Sequence, residues 1–133
     1  MKPLVIIVDD DPDDIEFFSM GLKDVPTQCE LRSFTNGIDF LHFFKEQDGK
    51  VPMAVAIDIN MPMISGIELL NLLNENHLID LIPVFVMSTA SSKSHEKECL
   101  ELGARRYFTK PVGKNDWRAI AEEVLAAVRM QRK

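Results

Sequence analysis

The chain has 133 residues, with 15 Lys and Arg against 21 Asp and Glu, a formal net charge of −6 at pH 7. A hydrophobic content of 46% and a mean hydropathy of −0.04 exclude disordered and collagen-like chains and describe one ordinary soluble domain that needs neither metal nor disulfides to hold a core. The acidic balance, without any basic run, argues against nucleic acid or anionic lipid as a direct partner, because the protein's own field would repel their phosphates.

The chain opens on the apolar run Leu4–Val8, far shorter than the roughly 20 residues that cross a bilayer. Asp9-Asp10-Asp11 follow at once, where a cleaved leader would carry small residues, so a cytoplasmic location is expected. The run reads as a strand covered on both faces, and Asp14–Val25, with Ile15, Phe18 and Leu22 in helical register, as the helix after it. Cys29–Phe34 predicts a second strand, and Thr35-Asn36-Gly37 breaks it before a helix with the stripe Ile38, Leu41 and Phe44. Val51–Ile57 is the third strand, ending at Asp58. Ser65 and Glu68 then have capping-box spacing at the start of a helix with Ile67, Leu70 and Leu73 on its apolar side.

Val84–Met87 after Pro83 predicts a fourth strand, and the polar stretch 91–101 a helix that stops at Gly103. Tyr107–Thr109 is a short fifth strand. Asn115 or Asp116 caps a last helix with Trp117, Ile120, Ala121, Val124 and Val128 on one face. Strict alternation of buried strands and amphipathic helices implies an α/β domain with a parallel five-stranded sheet, doubly wound with five helices. The chain ends one helix after Pro111, so a single domain over 1–133 without an output module is expected.

Such sheets place their sites at the carboxyl ends of the strands, which here carry Asp9-Asp10-Asp11, Asp58, Ser88-Thr89 and Lys110. Clustered carboxylates repel one another, and a bound cation removes that cost. Oxygen ligands of this kind suit Mg²⁺, which takes one or two carboxylates and commonly bridges a phosphate. With the Lys110 ammonium and a hydroxyl beside them, these residues form a site for a phosphoryl group, and an Asp carboxylate can itself attack phosphorus. Spacing alone leaves open which Asp does so.

The runs Val8-Asp9-Asp10-Asp11-Pro12, Asp58-Ile59-Asn60-Met61-Pro62 with Gly66, Val86-Met87-Ser88, and Gly103-Ala104 to Tyr107-Phe108-Thr109-Lys110-Pro111 closely resemble the receiver domain of two-component response regulators. The resemblance covers essentially the whole chain. It implies the flavodoxin-like strand order 2-1-3-4-5, and a phosphoacceptor rather than an enzyme. Asp58 would take a phosphoryl group from the phosphohistidine of a sensor histidine kinase or from a phosphotransfer protein. Asp10, Asp58 and the Asn60 carbonyl would bind Mg²⁺, with Asp9 acting through a water. Lys110 would pair with the phosphoryl oxygens and its bond to Pro111 would be cis, Ser88 would hydrogen-bond the acyl phosphate, and Tyr107 would respond to it. Thr89 is the alternative hydroxyl, although the count from Pro83 favours Ser88. The output would pass to a downstream protein effector through a face including His95, Arg105, Tyr107 and Trp117.

Two rival readings stand beside this one. Asp9-Asp10-Asp11 is half of a haloacid-dehalogenase-like phosphatase motif, with Asp9 as nucleophile and Asp11 as acid, but Asp13 occupies the place where that motif wants Thr or Val. A receiver-like module that binds partners without phosphorylation is the other, and the intact Asp10, Asp58 and Lys110 argue against it. On the bland side, Asp11 and Asp13 could simply cap and charge a helix start around Pro12. His42, His77 and His95 have no ligand spacing, and Cys29 and Cys99, without a CxxC, read as small apolar core residues.

Overall fold

A computed structural model describes residues 2–26, 28–47, 51–89, 92–112 and 116–130. In chain order they form β1 (Leu4–Val8), α1 (Pro12–Lys23), β2 (Glu30–Phe34), α2 (Gly37–Gln47), β3 (Met53–Asp58), α3 (Gly66–Glu75), a short 3-10 turn (Ile79–Leu81), β4 (Val84–Ser88), α4 (Lys93–Glu101), β5 (Arg106–Thr109) and α5 (Trp117–Met130). The strands make one sheet in the order β2-β1-β3-β4-β5, and every pairing is parallel. This is the flavodoxin-like architecture expected from the sequence. Asn115, one of the two caps expected for α5, lies outside the described residues.

Side chains alternate across the sheet and divide the core in two. Leu4, Ile6 and Val8 of β1, with Met53, Val55 and Ile57 of β3, pack on one face with Phe40, Phe44, Leu69, Leu70, Leu73 and Cys99. Val5, Ile7, Ala54, Ala56, Phe85 and Met87 face the other way, against Phe18 and Leu22 of α1 and Trp117, Ile120, Ala121 and Val124 of α5. With both faces covered, β1, β3 and β4 are buried along their length, which is why they read as unbroken apolar runs. The edge strands differ. Glu30, Arg32 and Ser33 of β2 and Arg106 and Thr109 of β5 are exposed.

Three expectations about packing need correction. In α2 the buried side chains are Phe40 and Phe44, whereas Ile38 is exposed and Leu41 half-buried, so the stripe lies turned from the one read in sequence. The larger rings of Phe40 and Phe44 take the inner face in place of Ile38, and they stack at 5.9 Å between ring centroids. Trp117 is only 1% exposed and packs against Phe17, which bears out its place on the apolar side of the last helix and removes it from the outward face to which it was also assigned. Cys29 is half-buried, while Cys99 is buried as expected. Local signals fared better. Ser65 and Glu68 form the complete capping box of α3. Gly103 ends α4 with φ +113, a conformation that side chains other than hydrogen rarely adopt.

Candidate functional site

The chain leaves β1 toward β2 on one side and reaches β3 on the other, so the strand order reverses between β1 and β3. A crevice opens outside the carboxyl ends of strands at such a reversal. Asp9 follows β1 directly, and Asp58 is the last residue of β3. The Asp9 amide donates to the Phe34 carbonyl at 2.9 Å, and its Oδ1 accepts from the Asp11 amide at 2.9 Å. Its carboxylate is fully buried. Asp58 is buried too, and its Oδ1 accepts from the Asn60 amide at 3.2 Å. Gly66 lets α3 begin against the end of β3, since a Cβ there would lie 2.5 Å from the Asp58 carbonyl oxygen.

Lys110 enters from the end of β5, where its amide donates to the Ser88 carbonyl at 2.7 Å. Its Nζ lies 2.7 Å from Asp14 Oδ2, 3.0 Å from Asp9 Oδ2 and 3.3 Å from Asp58 Oδ1. The Asp9 contact is an ion pair without an aligned hydrogen bond, so that buried oxygen has no hydrogen-bond donor of its own. Asp10 is exposed beside them, and carboxylate oxygens of Asp9, Asp10 and Asp58 lie within 4.8 Å of one another.

Electrostatics follow from this crowding. Burial, then the charge of Asp9, pushes the Asp58 carboxyl up to about 7 against the pull of Lys110. Burial raises Asp9 as well. For Lys110 burial alone would favour the neutral amine, but the contacts to Asp14 and Asp9 outweigh it and hold the ammonium above its ordinary range. Asp9, Asp10, Asp14 and Asp58 outnumber the single lysine, and the buried Asp9 Oδ2 has only its ion-pair contact to Lys110, so the donor set fits a hard divalent cation.

The fold therefore brings Asp9, Asp10, Asp58 and Lys110 together as the sequence suggested. It also places Ser88, buried, at the end of β4, with Thr89 exposed beyond it. Tyr107 is half-buried in β5. Asp11 serves as the N-cap of α1, accepting from the Asp13 amide at 2.9 Å. The Lys110–Pro111 bond is not cis, since the described residues hold no cis peptide. The proline amide prefers trans by only about 0.5–1 kcal/mol, and Lys110 reaches the carboxylates with that bond trans. Asp14 is the residue that sequence reading missed. Its signal was its place in the first turn of α1, four residues before the buried Phe18 and so on the same inward side of the helix.

The profile of the response regulator receiver domain matches residues 5–122. The chain belongs to this family. This receiver domain is 35% identical over 109 residues to a probable cyclic di-GMP phosphodiesterase of Vibrio cholerae, covering 81% of the chain but 23% of that protein, so it spans about a quarter of that relative's length. Among solved structures, the phosphorylated cyanobacterial phytochrome response regulator RcpA superposes with a TM-score of 0.84 at 18% identity, over 100% of this chain and 98% of that one. The Mn²⁺-bound response regulator Rcp1 does so with 0.76 at 22% identity, over 91% and 90%. At those identities the likeness speaks for the shared fold. Among the described residues, no helix of the receiver domain is long and apolar enough to cross a membrane.

Proposed function

We propose that this receiver domain accepts a phosphoryl group on Asp58 from the phosphohistidine of a sensor histidine kinase or a phosphotransfer protein, and thereby changes its affinity for a downstream protein. One observation carries the reading: a buried, strand-end carboxylate shares a lysine ammonium with Asp9 while three acids converge within 4.8 Å. In the transfer an Asp58 oxygen forms a bond to phosphorus as the phosphorus–nitrogen bond breaks, and its electron pair returns to the imidazole. Asp10, Asp58 and the Asn60 carbonyl would hold Mg²⁺, with Asp9 acting through a water. When bound, that ion neutralises charge on the carboxylates and on the incoming phosphoryl oxygens.

Lys110 pairs with the phosphoryl oxygens, and the adjoining Pro111 restricts the backbone that carries it. Ser88 supplies the hydroxyl that hydrogen-bonds the acyl phosphate. Its burial favours it over the exposed Thr89. The added charge, roughly −1.5 to −2 for a phosphoryl group near neutral pH, draws this hydroxyl inward and frees space that Tyr107 occupies. A surface including His95, Arg105 and Tyr107 then presents a different face to the effector.

Incubation with Mg²⁺ and acetyl phosphate, read by intact-protein mass, tests the proposal. The mass rises by one phosphoryl group in the native chain and stays unchanged in Asp58→Asn. An unchanged native mass with both acetyl phosphate and a panel of histidine kinases would overturn it, as would labelling that Asp9→Asn loses while Asp58→Asn retains it.

A further inference from the structure

Asp14 takes no part in the transfer described above, yet it holds Lys110 more closely than any other group. Its Oδ2 lies 2.7 Å from Nζ, against 3.3 Å for Asp58. Its side chain is 16% exposed, against 4% for Asp58 and 0% for Asp9, so the ammonium is shared between one carboxylate at the rim of the pocket and two at its floor. The pair also joins the first turn of α1 to the end of β5.

An ammonium has three donors, and each one committed to a resting partner is withheld from a new one. A ligand gains only the difference between the contacts it makes and those it displaces. Resting on the reading of Asp58 as phosphoacceptor, we propose that Asp14 is a positioning residue that competes with the phosphorylated Asp58 for the Lys110 ammonium, so that the strength of this pair sets how tightly the pocket holds a phosphoryl group. A purely structural link between α1 and β5 would leave that affinity untouched.

Titration with beryllofluoride in the presence of Mg²⁺, followed by fluorine NMR of the bound anion, separates the two. Asp14→Asn, which keeps size and loses charge, half-saturates at about tenfold lower beryllofluoride, the scale of one hydrogen bond to a charged group. It also shifts a bound fluorine resonance, because the lysine donor moves toward the anion. Asp14→Ala behaves alike, and Asp14→Glu returns the native midpoint. Asp13→Asn removes the same charge one residue away, without a contact to Lys110, and stays within about twofold.

The inference is overturned if Asp14→Asn binds as the native chain does or more weakly, or if Asp13→Asn has an equal effect. If the native chain binds beryllofluoride and Asp58→Asn does not, the phosphoacceptor reading stands whatever Asp14 does. Absence of a bound resonance in the native chain sinks both.

Discussion

At the scale of single residues, the decisive quantity is the proton affinity of Asp58. Its carboxyl, raised from 3.8 to about 7, binds a proton more tightly in the folded chain than in the unfolded one. The stability that this contributes is complete below about pH 4 and is lost as the pH rises through about 7, because linkage lets the native state hold protons that the unfolded state has released. In Mg²⁺-free buffer the melting temperature should therefore gain from lowering the pH from 8 toward 6, and Asp58→Asn should flatten that slope. Added Mg²⁺ should reverse the trend, since it competes with the proton for the same oxygens and stabilises more as the pH rises. Thermal melts at matched ionic strength, with and without the ion, check both signs. A native slope equal to that of Asp58→Asn would mean the carboxyl is not strained by its surroundings.

At the scale of elements, what was legible in the sequence was what local chemistry dictates. Leu4–Val8 is a strand with the expected bounds, because an unbroken apolar run can only be satisfied when both faces are covered. Ser65 and Glu68 announced α3 because the capping box closes between the two residues themselves. The face of α2 was not legible. A helix with Ile38, Phe40, Leu41, Phe43 and Phe44 is apolar around much of its circumference, and the sheet beneath it decides which side is buried. The site followed the same division. Asp9, Asp58 and Lys110 stand at strand ends that the sequence placed, whereas the bond from Lys110 to Asp14 spans 96 residues and depends on how α1 leans over the sheet. The orientation of α2 is open to measurement. Phe40→Ala should cost about 3–5 kcal/mol by urea unfolding, and Ile38→Ala should stay within about 0.5 kcal/mol. Equal losses would mean that the helix is turned differently.

At the scale of the whole molecule, the two apolar layers share the same strands. Neighbouring residues of β1 and β3 point into opposite layers, so neither layer can dissolve while the backbone between them stays paired. Fluorescence of Trp117, buried between α1 and the sheet, should therefore report the same unfolding midpoint as far-ultraviolet circular dichroism. Midpoints that separate by more than the fitting error would make the layers independent. The outermost strands have a consequence of their own. A parallel sheet of five strands ends on two rows of unsatisfied amides and carbonyls, an invitation for a second molecule to extend it. Glu30 and Arg32 along one border and Arg106 along the other stud those rows with charge, so that two copies meeting border to border must strip water from ionic groups before any ladder can form. Crowded solutions of this chain are thereby kept from growing fibrils along the direction in which its own architecture would otherwise propagate.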